Sequence, residues 1–310
     1  MIAFVFPGQG SQHVEMGLEL YNEFDIARET FEEASDVLGF DISELCFEDK
    51  SDELKLTINS QPSILTVSIA ALRVLSRETE IKADYVAGHS LGEYTALVAS
   101  GAFEFRDAIT VVRKRGEFMQ NAVPVNVGSM SAVLGLDDKS IDEICLRVSK
   151  NDSIVSAANY NAPGQIVISG NKEAVEAACE LAKSKGAKKV IPLEVSAPFH
   201  CSLMQPAAER LSRVLEDIKV STLKIPVVSN IDAQINLDST KVKGNLVEQV
   251  TSPVRWHESI KFLYEIGVRR FLEIGPGKVL SGLIRRSVQD PIVSNLENPG
   301  QLHILKEKGY

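Results

Sequence analysis

The sequence predicts an α/β protein: a mostly parallel sheet covered by helices on both faces, interrupted by a smaller inserted module. Three observations predict it. Strand-like apolar runs alternate with helix-like segments over most of the 310 residues. Gly88-x-Ser90-x-Gly92 stands between a strand-like run, Tyr85-Val-Ala87, and a helix-like run that starts at Glu93. From 125 to 197 the rhythm changes to β-α-β-β-α-β, the order of a ferredoxin-like unit of about 70 residues.

In chain order, the apolar run 2–6 reads as a buried strand that ends in the Gly/Gln turn 8–12. Helical segments follow near 14–21 and 25–38. A longer helix is placed after Asn59-Ser-Gln-Pro62, with Pro62 in its first turn. Its residues from Ile64 to Leu72 are apolar on nearly every side, so burial is expected. Helices near 91–100 and 106–121 come after the Gly-x-Ser-x-Gly turn. The inserted module reads as strand 127–136, helix 138–149, strands 153–159 and 165–169, helix 171–185 and strand 188–195. Helix 203–219, strand 226–230, helices near 240–250 and 256–266, strand 269–274 and a closing helix after Gly275-Pro-Gly277 complete the reading. The expected division is a large domain, 1–124 with 198–310, carrying a small ferredoxin-like subdomain, 125–197.

A hydrophobic share of 44% and a charged share of 24% are those of a water-soluble globular chain. The net charge of −9 excludes a broad nucleic-acid-binding surface. Cysteines 46, 145, 179 and 201 stand singly, so no metal site is expected and a reducing compartment fits. Pro7 and Gly8 cut short the first apolar run, and no stretch reaches membrane-spanning length. A cytoplasmic protein and a monomer are expected.

Ser90 lies where a strand, a sharp turn and a helix would form a nucleophile elbow. A serine hydroxyl needs a base within hydrogen-bond reach. Of histidines 13, 89, 200, 257 and 303, His200 is favoured because it closes a Pro-containing loop at a strand end, with His13 the alternative. His89 adjoins the serine but should point to the opposite face. Cys201 reads as a packing thiol. No aspartate is placed to orient the base, a task that a backbone carbonyl or a side-chain amide can also perform. One oxyanion donor comes with the elbow, the N–H of Leu91, and a second can come from the loop 7–11. The Gly-rich turns at 8–10 and 275–277 lack the spacing of nucleotide-binding loops. Arg115, in a basic run on the helix after the elbow helix, would need a carboxylate partner if it turned inward.

Several motifs together resemble the bacterial malonyl-CoA:acyl-carrier-protein transacylases, essentially end to end. They are F-P-G-Q-G-S-Q at 6–12, Q-P at 61–62, G-H-S-L-G-E at 88–93 and R-G-E-F-M-Q at 115–120. A-N-Y-N-A-P-G-Q-I-V-I-S-G follows at 158–170, then F-H at 199–200, E-Q-V-T-S-P-V-R-W at 248–256 and E-I-G-P-G-K at 273–278. The resemblance implies a hydrolase-like α/β core with a ferredoxin-like insert. It implies that Ser90 carries the malonyl ester, that His200 is base and then acid, and that Gln249 orients His200 through its main-chain carbonyl. Arg115 would hold the malonyl carboxylate, and the N–H groups of Gln9 and Leu91 would form the oxyanion hole. Asn159 and Gln61 match positions near the acyl pocket. The implied partners are malonyl-CoA and acyl carrier protein, with no permanently bound cofactor and the phosphopantetheine supplied by the carrier.

Phe199 departs from the serine that many bacterial members carry before the histidine. It resembles the malonyl-selective domains of large synthases, which implies poor use of methylmalonyl-CoA. Lys183, Lys185, Lys188, Lys189, Arg285 and Arg286 offer basic clusters for an acidic carrier, with association that weakens in salt. Two rival readings are a carboxylesterase or thioesterase with the same elbow, and a catalytically silent carrier-binding module.

Overall fold

Strands that are apolar on both faces must be covered on both sides, and this requirement builds the larger half of the molecule. The computed structural model describes residues 1–124 and 126–308. Its strands are β1 (Ile2–Phe6), β2 (Tyr85–Gly88), β3 (Gly128–Leu134), β4 (Val155–Ala162), β5 (Gln165–Asn171), β6 (Lys189–Pro192), β7 (Val227–Val228), β8 (Ile235–Asn236), β9 (Arg270–Ile274) and β10 (Ile292–Leu296). The first six helices are α1 (Leu18–Glu23), α2 (Asp25–Leu38), α3 (Ile42–Phe47), α4 (Thr57–Glu78), α5 (Gly92–Ala99) and α6 (Phe105–Gln120). They are followed by α7 (Asp138–Val148), α8 (Lys172–Ser184), α9 (Gln205–Glu216), α10 (Ser239–Gln249), α11 (Trp256–Glu265), α12 (Val279–Ser287) and α13 (Pro299–Lys308).

The large sheet has the order β10-β9-β1-β2-β7-β8, parallel throughout except for the β7–β8 pair. Along β1, Phe4 and Phe6 pack with α4 on one face, whereas Ala3 and Val5 pack with Trp256, Ile260 and Leu263 of α11 on the other. Phe6 pairs with Gly88, so β1 and β2 end side by side. The loops that leave β1, β2, β7 and β9 therefore gather at the carboxyl edge of one parallel sheet, where α/β folds collect their ligands. The small sheet, β4-β5-β3-β6, is antiparallel and rests on α7 and α8 around Val133, Ile144, Ile166 and Val175. Its strand order is ferredoxin-like, and its elements run from 128 to 192. The expected domain boundary at 125 and the expected large-domain residues 309 and 310 lie outside the described residues.

The fold is thus α/β as expected, and several elements differ from the sequence reading. Helix α4 begins at Thr57, which puts Pro62 inside the helix instead of in its first turn. Proline has no N–H, so the carbonyl of Ile58 loses its intrahelical donor. Arg113 Nη1 of α6 donates to that carbonyl at 2.9 Å. The first helix starts at Leu18, and the predicted strand 226–230 is reduced to the two residues of β7. Helix α9 is preceded by a 3-10 turn, Ser202–Met204. Elements α3, β8, β10 and α13 have no counterpart among the predicted elements; β10 mixes polar and apolar residues because it closes the sheet as a partly exposed edge.

Candidate active site

Ser90 occupies the turn between β2 and α5 with φ 52°. A non-glycine residue in this left-handed region costs about 1–3 kcal/mol, so the surroundings must hold it there. Two hydrogen bonds do so from one side chain. The Ser90 N–H donates to Asn230 Oδ1 at 2.7 Å, and Asn230 Nδ2 donates to the Gly88 carbonyl at 2.7 Å. Close approach of backbone to backbone completes the turn. A Cβ on Gly92 would lie 2.1 Å from the Phe6 carbonyl oxygen, and one on Gly8 would lie 2.3 Å from that of His89. The loop after β1 is thereby laid directly against the elbow.

Ser90 Oγ stands 2.8 Å from His200 Nε2. His200 Nδ1 donates to the main-chain carbonyl of Gln249 at 2.8 Å, a bond that leaves Nε2 as the acceptor. Burial, aided by the nearby Arg115 charge, pushes the imidazole down to about 3. It is therefore neutral at pH 7, with Nε2 free to accept a proton. His89 turns away from the hydroxyl, although it lies in the turn just beyond β2 and not in a strand: its Nε2 meets Asn161 Oδ1 at 2.8 Å and its ring lies against Trp256. The alternative base, His13, instead pairs with Glu297 at 3.0 Å and is half exposed. Cys201 is buried, and its thiol donates to the Pro198 carbonyl.

Arg115 is 1% exposed, yet among the described residues no carboxylate pairs with it. Its Nη1 donates to Gln61 Oε1 at 2.8 Å, and its Nη2 donates to Gln249 Oε1 at 3.0 Å and to Ser90 Oγ at 3.1 Å. A buried guanidinium held by neutral amides is prepared for an anion supplied from outside. Ser90, His200, Arg115, Gln9, Leu91, Gln61, Asn159 and Phe199 all line one cavity of about 430 Å³. Its apolar wall comes from Met119, Met130, Val167 and Leu280. Gln249 lies behind it, fully buried. No hydrogen bond from the backbone N–H of Gln9 or Leu91 to a protein acceptor occurs among the described residues. Gln9 Nε2 donates to Thr57 Oγ1, which fixes its loop to the start of α4. Among the described residues, no three His, Cys, Asp or Glu side chains converge as a metal-ligand set.

The sequence reading missed two members of this arrangement. Glu93, 3% exposed, accepts from Gln249 Nε2 at 2.7 Å and from the Asn230 N–H at 3.2 Å, both on Oε2. Burial pushes its carboxyl up to about 7, against the pull of those two donors. In sequence, Asn230 stands only at the end of the predicted strand 226–230. Glu93 had a signal, its place in G-H-S-L-G-E, whereas nothing local marks Asn230.

A hydroxyl, a neutral imidazole with its far nitrogen fixed, and an unpaired buried cation in one cavity can support acyl transfer of an anionic acyl group. Comparison with known proteins agrees. The acyl transferase domain family model matches residues 3–301. The malonyl CoA-acyl carrier protein transacylase of Bacillus subtilis is 51% identical over 285 residues, 92% of this chain and 90% of its own. The solved transacylase of Coxiella burnetii superposes with a TM-score of 0.97 at 40% identity, covering 99% of this chain and 97% of that one. A malonyl-transacylase solved in complex with a type II PKS acyl-carrier protein gives a TM-score of 0.96 at 44% identity, with 99% of each chain covered. With motif order, fold and near full-length identity all in agreement, this chain belongs to the acyl transferase domain family, among the malonyl CoA-acyl carrier protein transacylases.

Proposed function

We propose that this enzyme transfers the malonyl group of malonyl-CoA to the phosphopantetheine thiol of acyl carrier protein, through a malonyl ester on Ser90, in support of fatty-acid biosynthesis. The observation that carries the reading is the buried Arg115, without a carboxylate partner among the described residues and 3.1 Å from the Ser90 hydroxyl. An esterase for neutral acyl groups has no use for such a cation.

In the proposed cycle Ser90 Oγ attacks the thioester carbon while His200 Nε2 takes its proton. The tetrahedral oxyanion accepts hydrogen bonds from the N–H groups of Gln9 and Leu91. Collapse breaks the carbon–sulfur bond, and His200 returns the proton to the departing CoA thiol. The carrier thiol then attacks the ester, with His200 again as base and Ser90 reprotonated as leaving group. Arg115 grips the malonyl carboxylate through both steps, and Gln61 and Gln249 hold the guanidinium. Asn159 and Phe199 bound the acyl pocket, Phe199 against an α-methyl branch. The steps use only malonyl-CoA and the carrier's own phosphopantetheine.

For the acidic carrier we propose the basic surface beside the cavity mouth. Lys188 and Arg286 line a depression that shares Gln165 with the active-site cavity, and Arg286 Nη1 donates to Gln165 Oε1. Lys183 and Lys185 pair with Glu180 and Glu143, which leaves Lys188 and Arg286 as the better-placed cations. We further propose the division into 1–124 with 198–310 and the subdomain 125–197, a monomer, and a cytoplasmic location. No helix of the described residues is long and apolar enough to cross a membrane.

Intact-mass measurement after incubation with malonyl-CoA or acetyl-CoA tests the reading. A malonyl adduct is expected, absent in Ser90→Ala and discharged by holo-carrier protein. Free malonate accumulating without an adduct would point to a hydrolase. Failure to acylate with any acyl-CoA would leave only a binding role.

A further inference from the structure

Gln249 does more than present its main-chain carbonyl to His200. Its side-chain amide is fully buried and bonded at both ends. The oxygen accepts from Arg115 Nη2 at 3.0 Å, and the nitrogen donates to the Ser90 carbonyl at 3.0 Å and to Glu93 Oε2 at 2.7 Å. An amide turned end over end would present N–H groups to the guanidinium and remove the acceptor that orients it. Something must therefore decide which way this amide faces. The Ser90 carbonyl and, at 3.4 Å, Asn230 Oδ1 are acceptors on the nitrogen side, and Glu93 Oε2 is the shortest contact of the three.

The same oxygen of Glu93 also accepts from the N–H of Asn230, whose side chain clamps the elbow from Gly88 to Ser90. One buried carboxyl oxygen thus sits where the supports of three groups meet: the nucleophile's turn, the guanidinium and the peptide that receives the imidazole N–H. Glu93 itself stays off the cavity, because it projects from the first turn of α5 into the interior behind the serine.

We propose that Glu93 is a positioning residue that fixes the orientation of the Gln249 amide and thereby aims Arg115 at an acyl carboxylate. The proposal rests on the malonyl-transfer reading and deepens it: selectivity for a carboxylated acyl group depends on a residue that never touches it. Removing the acceptor oxygen takes away the shortest contact and leaves the Ser90 carbonyl, at 3.0 Å, and Asn230 Oδ1, at 3.4 Å, to hold the amide nitrogen. The amide is then less firmly fixed, and with it one of the two amide anchors of Arg115. Because the consequence passes through Arg115, it falls on malonyl more than on acetyl transfer. A residue needed only for core packing would reduce both alike.

The test compares Ser90 acylation rates with malonyl-CoA and acetyl-CoA, by quenched intact mass, in the unsubstituted protein, Glu93→Leu and Glu93→Gln. Loss of one charge-assisted contact predicts a fall of about ten-fold in the malonyl-to-acetyl ratio for Glu93→Leu. Glu93→Gln keeps an acceptor oxygen and should restore the ratio to within about three-fold. An unchanged ratio in Glu93→Leu, or a loss in Glu93→Gln as large as in Glu93→Leu, would overturn the proposal. Should Glu93→Leu fail to fold, Gln249→Met carries the test, since it keeps the main-chain carbonyl and removes the amide; an unchanged ratio there overturns it too. Absence of malonyl preference in the unsubstituted protein would instead sink the underlying malonyl-transfer reading.

Discussion

Arg115 sets the clearest requirement among single residues. Its charge is held in the interior by two amide oxygens and a hydroxyl, with burial pulling the guanidinium below its ordinary range. Truncation to alanine would remove the proposed partner of the acyl carboxylate and leave the Ser90–His200 pair in place. Loss of a bidentate, charge-assisted contact should reduce discrimination of malonyl over acetyl by about 1.5–3 kcal/mol, roughly ten- to a hundred-fold in the rate ratio. Rates of Ser90 acylation with the two donors measure it directly, and an unchanged ratio in Arg115→Ala would remove the residue from its role. At this scale the convergence of Ser90, His200 and Arg115, which lie within hydrogen-bond reach of one another through the serine hydroxyl, was legible. Each stands in a motif whose proposed chemistry is suggested by the residue type itself. Glu93 escaped because an acid in the first turn of a helix ordinarily serves the helix dipole in water, and only the tertiary fold buries it. Asn230 is 140 positions from the serine that it holds, and its function exists only once β7 lies beside β2.

The elbow shows how an element rather than a residue stores precision. Helix α5 can approach the end of β1 only because Gly92 has no side chain. A Cβ there would lie 2.1 Å from the Phe6 carbonyl oxygen, and backbone cannot rotate out of the way as a flexible side chain can. Gly92→Ala should therefore cost more than about 2 kcal/mol and displace the serine from His200. Gly244 offers the contrast: it lies in helix α10, and a Cβ there meets nothing within 4 Å. Gly244→Ala should stabilise the protein by about 0.5–1 kcal/mol and leave acylation as it was. Chemical denaturation and the amplitude of Ser90 acylation distinguish the two; a tolerated Gly92→Ala would contradict the close-packed elbow. The same scale explains what the sequence hid. The strand–turn–helix setting of Ser90 is local and could be read, as could the β-α-β-β-α-β order of the insert. The start of α4 could not: Pro62 signals a first turn, and the donor that lets the helix begin at Thr57 comes from Arg113 on another helix. Strand β10 was missed because its half-exposed residues lack the apolar continuity of a buried strand.

Across the whole molecule, the site is assembled by bringing the ends of several parallel strands to one edge, and the ionisable groups enclosed there tie folding to pH. Glu93 and His200 act with opposite signs. Burial raises Glu93 from the usual carboxyl value to about 7, despite the donors Gln249 and Asn230, with the Asp232 charge adding to the rise and Arg115 opposing it. Between about pH 4.5 and 7 the folded chain thus holds a proton that the unfolded chain has lost, and stability falls as pH rises. His200 is lowered to about 3, so between that value and about 6.5 the unfolded chain holds the extra proton, and stability rises with pH. The two slopes oppose each other from about pH 4.5 to 6.5, and the wild-type curve alone cannot separate them. Glu93→Gln can, because it keeps the side chain's size and removes its ionisation while His200 titrates as before. The variant's melting temperature, taken relative to the unsubstituted protein at fixed ionic strength, should climb as pH is raised from 5 to 8. Above that it should level off, once the buried carboxyl is fully charged. A difference that stays constant over this range would mean that Glu93 ionises like an ordinary surface acid, in conflict with its enclosure behind Ser90.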